Sequence, residues 1–157
     1  METILIKNAV VVTQDDERRV LRDADILIEG DVVAEVGRDL PGPADMLIDA
    51  SKKVAIPGLI NAHTHIAMTL FRGVADDMEL MKWLKEKIWP LESNLTREDV
   101  LAGAKLGILE ALRGGTTCFA DMYFFEDAVA EAAVELGARG ILASSYIDFG
   151  TPEARDG

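Results

Sequence analysis

Pro57-Gly58-Leu59-Ile60-Asn61-Ala62-His63-Thr64-His65 contains both histidines of the chain, two residues apart. Leu59 to Ala62 reads as a short buried strand entered from a Pro-Gly turn. Side chains alternate faces along a strand, so His63 and His65 point one way and Thr64 the other. Two imidazoles at a strand end can grip one divalent ion, since neutral imidazole is the commonest metal ligand. A bare His-x-His pair more often marks two hydrogen-bonded histidines on a sheet rim. A catalytic zinc normally takes three protein ligands.

Outward from this stretch, the chain alternates strand with helix. Glu79 to Trp89 places Leu80, Met81, Leu84 and Ile88 on a helical stripe, with Asp76 and Glu79 as capping residues and Pro90 as the stop. Arg97 to Arg113 reads as a second helix, with Thr96 as N-cap, Asp99 at the third position and Gly114 at the end. Its inward face is Leu101, Ala104, Ile108, Ala111 and Leu112. Thr116–Asp121 is the next strand. Asp127–Leu136 is a helix burying Ala128, Val129, Ala132, Ala133 and Leu136, and Gly140–Tyr146 is a third strand. Strands alternating with helices predict an α/β fold with a parallel sheet. Residues 1–56 differ: they read as short strands of a small all-β module, Thr3–Ile6, Ala9–Thr13, Ala24–Glu29, Val32–Val36, Met46–Asp49 and Lys53–Ile56. Gly30-Asp31 is a hairpin turn. The expected division is therefore 1–56 and 57–157.

Composition narrows the function classes. The formal net charge is −12, from 16 basic and 28 acidic residues. It is spread evenly, with 7 basic and 12 acidic residues before Pro57 and 9 and 16 from there on. A duplex nucleic-acid binder needs the opposite sign. The single cysteine excludes an internal disulfide and suits a reducing compartment. The N-terminal run carries Glu2 and Lys7 with no long apolar core, and no apolar segment reaches spanning length. The expectation is a cytoplasmic protein with no membrane and no nucleic-acid partner.

Four motifs in order carry a family resemblance. These are the quoted His63-Thr64-His65 stretch; Met68-Thr69-Leu70-Phe71-Arg72-Gly73-Val74-Ala75-Asp76-Asp77; Trp83-Leu84 with Ile88-Trp89-Pro90-Leu91-Glu92; and Thr116-Thr117-Cys118-Phe119-Ala120-Asp121-Met122-Tyr123-Phe124. Together they resemble the amidohydrolase superfamily, in the branch that deaminates methylthioadenosine, S-adenosylhomocysteine and 5′-deoxyadenosine. The resemblance implies a (β/α)₈ TIM barrel, of which residues 57–157 form the first three strands. It also implies that the β-module is completed by strands not in this sequence. His63 and His65 would be metal ligands for a divalent ion, zinc or iron. The metal would activate a water that attacks C6 of an adenine ring, releasing ammonia. The family's remaining ligands and proton-transfer acids come from later strands, so no catalytic acid or base is expected in this chain.

Glu92 matches the family glutamate that accepts hydrogen bonds from ribose hydroxyls, a task suited to a carboxylate that can take two vicinal hydroxyls. A solvated helix-end charge is its plainer reading. Trp83 would pack on the nucleoside or its 5′ substituent, or else simply pack in the core. Asp121 either orients a metal histidine or caps the following loop. Cys118 reads as packing, because no histidine remains to activate it. Where relatives carry an arginine on the third strand, this chain has Ala143-Ser144-Ser145-Tyr146, which leaves the 5′-group preference open. Arg155 is a candidate substitute.

The small-molecule partner implied is a nucleoside, and the complete protein is expected to form a homo-oligomer. Two alternatives stand beside this reading. One is an amidohydrolase acting on a free base or other heterocycle, of the guanine deaminase or triazine chlorohydrolase type, for which Glu92 would have no ribose to hold. The other is a non-catalytic fragment or partner subunit. Three strands are legible where eight are needed, so residues 1–157 alone are not expected to turn over substrate.

Overall fold

In the computed structural model, which describes residues 2–145, 147 and 150–153, the chain forms mixed α/β structure in two units, Met1–Pro57 and Gly58–Gly157. The first unit is a sheet of β1 (Thr3–Val12), β2 (Val20–Glu29), β3 (Val32–Gly37), β4 (Met46–Asp49) and β5 (Val54–Ala55). Strand order is β3-β2-β1-β4, and the short β5 also pairs with β1. The hairpin expected at Gly30-Asp31 joins β2 to β3, with Gly30 at φ 63°. The two strands expected around Lys7-Asn8 are instead one. Asn8 takes φ 64°, and the register with β2 slips between Ile6 and Ala9. This is a bulge inside a continuous strand, not a break. Asp25 on β2 holds it in place. One carboxylate oxygen accepts the Asn8 N–H at 3.0 Å, and the other accepts Lys7 Nζ at 2.6 Å and the Leu40 N–H at 3.0 Å. Ala9, Val11, Ala24, Ile26 and Ala50 form the core of this unit.

The second unit has three parallel strands, β6 (Leu59–Thr64), β7 (Thr116–Tyr123) and β8 (Arg139–Ser144), in the order β6-β7-β8. Tyr146, the expected end of the last strand, lies outside the described residues. β6 is not the buried strand expected. Leu59 is 51 % and Ile60 73 % exposed, because β6 pairs only with β7 and its other edge meets no described strand.

The connection from β6 to β7 is long. A 3-10 helix at Ile66–Phe71 follows His65 directly. The single helix expected over Glu79 to Trp89 is broken into α1 (Leu80–Trp83), a π-helical turn (Leu84–Ile88) and α2 (Trp89–Glu92). Glu79, not Asp76, is the cap: its carboxylate accepts the N–H groups of Met81 and Lys82 at 3.0 and 2.9 Å. Pro90 stops nothing. It occupies the first turn of α2, where its missing N–H costs no hydrogen bond. Of the expected stripe only Ile88 is buried, while Leu80 is 62 % exposed.

α3 (Arg97–Arg113) keeps its expected bounds and its Thr96–Asp99 capping box. Its buried face is shifted toward Val100, Gly103, Ala104, Gly107 and Ile108. The glycines explain the shift. A Cβ on Gly103 would lie 2.5 Å from the Ala67 carbonyl, and one on Gly107 would lie 2.6 Å from that of Ile66. Their absence lets the segment after His65 lie flat on α3, where Thr69 Oγ1 donates to the Gly103 carbonyl at 2.7 Å. α4 (Glu126–Leu136) buries Ala128, Val129, Ala132 and Ala133 as expected, Leu136 packs on the same core only half-buried, and Gly137 closes the helix at φ 73°. The unit's core joins these helices to Ile66, Phe119 and Tyr123. Among the described residues no helix is long and apolar enough to cross a membrane.

Candidate active site at the ends of the parallel strands

The end of β7 organises the site. On this strand Phe119, Asp121 and Tyr123 are buried, while Met122 between the last two is exposed, the alternation of a strand covered on one face. The register sets Thr64 opposite Asp121. His63 and His65 therefore fall on the other face, and their rings meet edge to face with centroids 5.0 Å apart. His65 Nδ1 lies 2.6 Å from the Met122 carbonyl. A carbonyl can only accept, so Nδ1 carries the proton, which in the neutral ring leaves the lone pair on Nε2. That is the tautomer of a metal-ligating imidazole steadied by a backbone partner.

Asp121 acts one residue further along than either expectation. It neither touches an imidazole nitrogen nor caps the loop that follows it. Its Oδ1 accepts the Ile66 N–H at 2.8 Å and so fixes the backbone directly after His65. Burial pushes the Asp121 carboxyl up, against the opposing Ile66 N–H. Next to it, Glu126 is pushed up to about 8, by burial first and then by the Asp121 charge. Asp121 Oδ2 and both Glu126 oxygens are buried without a partner among the described residues. Two carboxylates have no donor between them. Once Glu126 holds a proton, it can donate to Asp121.

Glu92 is not a solvated surface charge. It is 7 % exposed and accepts the Tyr123 hydroxyl at 2.8 Å. Burial raises its carboxyl, opposed by that hydroxyl and by the nearby His65. The Tyr123 phenol is held far above its usual range, by burial first and then by the Glu92 charge, so it remains a donor. His65, Trp83, Trp89, Glu92 and Tyr123 line one cavity of about 330 Å³. The structure thus gathers His65, Trp83 and Glu92 around a single space, with His63 beside His65. Cys118 is half-buried on β7, and Arg155 lies outside the described residues.

The two imidazoles are of the donor type that suits a divalent ion, and the His65 ring has the tautomer that leaves Nε2 available. Among the described residues no group of three histidine, cysteine or acidic side chains could hold such an ion.

Residues 54–156 match the amidohydrolase family. The chain belongs to that family. The amidohydrolase chain is 52 % identical over 146 residues to a 5′-deoxyadenosine deaminase of Methanothrix thermoacetophila, covering 93 % of itself and 35 % of that relative. It is 52 % identical over 151 residues to a 5-methylthioadenosine/S-adenosylhomocysteine deaminase of Thermococcus onnurineus, covering 96 % and 35 %. Among solved structures it is similar to a zinc-bound adenosine deaminase from Xanthomonas campestris, with a TM-score of 0.88 and 38 % identity, over 94 % of this chain and 35 % of that one. It is also similar to an atrazine chlorohydrolase from Arthrobacter aurescens complexed with zinc, with a TM-score of 0.85 and 32 % identity, over 93 % and 36 %. The chain spans about a third of the length of the relatives it matches.

Two residues of the site escaped the sequence reading, Tyr123 and Glu126. For Tyr123 a signal was present: Phe119, Asp121 and Tyr123 follow one another at period two, which places them on one strand face. Glu126 offered none, because its burial depends on where α4 packs.

Proposed function

We propose that the complete protein is a metal-dependent hydrolytic deaminase of 5′-substituted adenosine nucleosides, the class of 5′-deoxyadenosine, methylthioadenosine and S-adenosylhomocysteine. The observation that carries this is the buried Glu92 carboxylate, held by Tyr123 on the cavity that also contains His65. A nearly buried acid with one oxygen engaged is an acceptor for ligand hydroxyls, and ribose offers two. The relatives that are 52 % identical to this chain over about a third of their own length bear nucleoside deaminase names, which supports the same reading.

In this proposal His63 and His65 are two ligands of a divalent ion, zinc by analogy with the zinc-bound neighbours. Such an ion, when bound, supplies the Lewis acidity that makes water nucleophilic near neutral pH. The chain's own residues bind and orient. Met122 fixes the His65 ring, Asp121 fixes the backbone after it, and Glu92 seats the ribose. Trp83 and Trp89 wall the cavity and exclude water. β6, β7 and β8 are the first three strands of a (β/α)₈ barrel, and the first unit is a β-module completed by other strands. Exposed Ile60 and Ile141 on the outer strands of one sheet, and Val33, Leu47 and Val54 on the other, support that reading.

The test uses the complete polypeptide carrying residues 1–157. His63→Ala and His65→Ala should each lower the bound divalent metal per subunit. Glu92→Ala should leave metal content intact but cost about 1.5–3 kcal/mol in kcat/KM for 5′-deoxyadenosine. Full metal and activity in both histidine variants would sink the metal assignment. A preference for free bases over nucleosides would move the substrate to another heterocycle.

A further inference from the structure

Glu92 sits on α2, a one-turn helix that follows a π-helical turn, and such a short element holds a side chain poorly by itself. What fixes its carboxylate comes from elsewhere in the unit. Tyr123, 4 % exposed at the end of β7, donates its hydroxyl to Oε1 across 31 positions of sequence. No described residue is hydrogen-bonded to Oε2. Tyr123 is itself braced, its ring packing on Phe124 with centroids 5.0 Å apart and facing the His65 ring at 6.0 Å. The residue before it, Met122, gives its carbonyl to His65. Two adjacent residues of one strand thus hold the imidazole and the carboxylate in a fixed relation.

We infer that Tyr123 is the positioning residue for ribose recognition: its hydroxyl occupies Oε1 of Glu92 and aims Oε2 at the vicinal hydroxyls of a bound nucleoside. This rests on the nucleoside reading of the site. Without the phenol, the carboxylate is free to rotate and to pair with water, and part of its binding is then spent on being ordered again. The loss falls on substrates with ribose hydroxyls and spares those without.

The experiment compares 5′-deoxyadenosine with its counterpart lacking both remaining ribose hydroxyls, in the complete metal-loaded polypeptide. Steady-state kinetics and equilibrium binding, read by the fluorescence of Trp83 and Trp89, are measured for Tyr123→Phe, Glu92→Ala and the double variant. Tyr123→Phe should raise KM and Kd for the riboside about tenfold, with kcat within about twofold, and change the dihydroxyl-free nucleoside by less than about twofold. In the Glu92→Ala background, Tyr123→Phe should add nothing. Equal losses for both nucleosides, or full additivity of the two substitutions, would show a merely structural tyrosine and overturn the inference. If Glu92→Ala fails to distinguish the two nucleosides, the ribose reading itself falls and takes this inference with it. If only Tyr123→Phe fails to distinguish them, the inference falls alone. Should Tyr123→Phe not fold, 3-fluorotyrosine at position 123 keeps the shape and strengthens the donor. It should shift the riboside KM alone, by about twofold or more, and an unchanged KM counts against the inference.

Discussion

Asp25 in the first unit and Glu126 in the second are shielded alike, 2 % and 5 % exposed, yet they are held in opposite electrostatic states. Burial pushes Asp25 up, but the Lys7 ammonium and the N–H groups of Asn8 and Leu40 outweigh it and hold the carboxyl below its usual value. Glu126 has no such bonded partners among the described residues. Burial and the neighbouring Asp121 drive it up to about 8. A buried acid with a cation and two amide donors is a structural pin that fixes a bulge. A buried acid with only another acid beside it is a proton holder. In this chain the pin lies in the sheet unit, and the proton holder lies beside Asp121, which bonds the backbone directly after His65.

The largest effect should come from removing the pin. Asp25→Asn leaves Lys7 without its counter-charge in a half-buried position and should cost about 3 kcal/mol in urea unfolding at pH 7. The pH dependence follows from the lowered pKa. The Asp25 contribution is present above the ordinary carboxyl range and is lost as pH falls through the folded-state value. A cost below about 0.5 kcal/mol would mean that the bulge needs no pin.

Glu126→Gln probes the other side. Because the folded pKa is raised, the Glu126 contribution is complete below the unfolded value of about 4.5 and is lost as pH rises to about 8. Wild-type stability should therefore decline across that window, with this group supplying at most about 1.4 kcal/mol per pH unit. The glutamine variant should decline less, and unfolding curves at pH 5 and pH 8 decide. Identical slopes for both proteins would place Glu126 with ordinary surface acids.

Those surface acids set the lower bound. Arg97 on α3 bonds Asp127 and Glu131 on α4 at 2.6 and 2.8 Å, but it is 39 % exposed and both acids are more so. Arg97→Ala should cost no more than about 1 kcal/mol, and less at high salt. A loss as large as that of Asp25→Asn would show that exposure does not separate these pairs.

Where signals are local, the sequence was readable. The capping box and bounds of α3, the Gly30-Asp31 hairpin and the buried face of α4 depend on residues three or four apart, and each appears as read. The helix expected over Glu79 to Trp89 failed because periodicity records which residues could be buried, not which surface is there to bury them. With Leu80 facing solvent, the segment breaks into short turns. The continuity of β1 was hidden for a similar reason, since Asn8 and Lys7 look like a break until Asp25 arrives from β2.

By itself the sequence determined the alternation of strands and helices, the paired histidines on one strand face and, through its motifs, the family. These rest on spacing and local chemistry that survive in any context. Only the tertiary structure decided that His65 carries its proton on Nδ1, that Glu92 is buried and held by Tyr123, and that Asp121 grips the Ile66 backbone beside a protonatable Glu126. Each of these joins residues more than thirty positions apart, or is set by a burial that packing alone creates. Hydrogen-bond geometry and desolvation come into being when the strands align, and no pattern along the chain encodes them in advance.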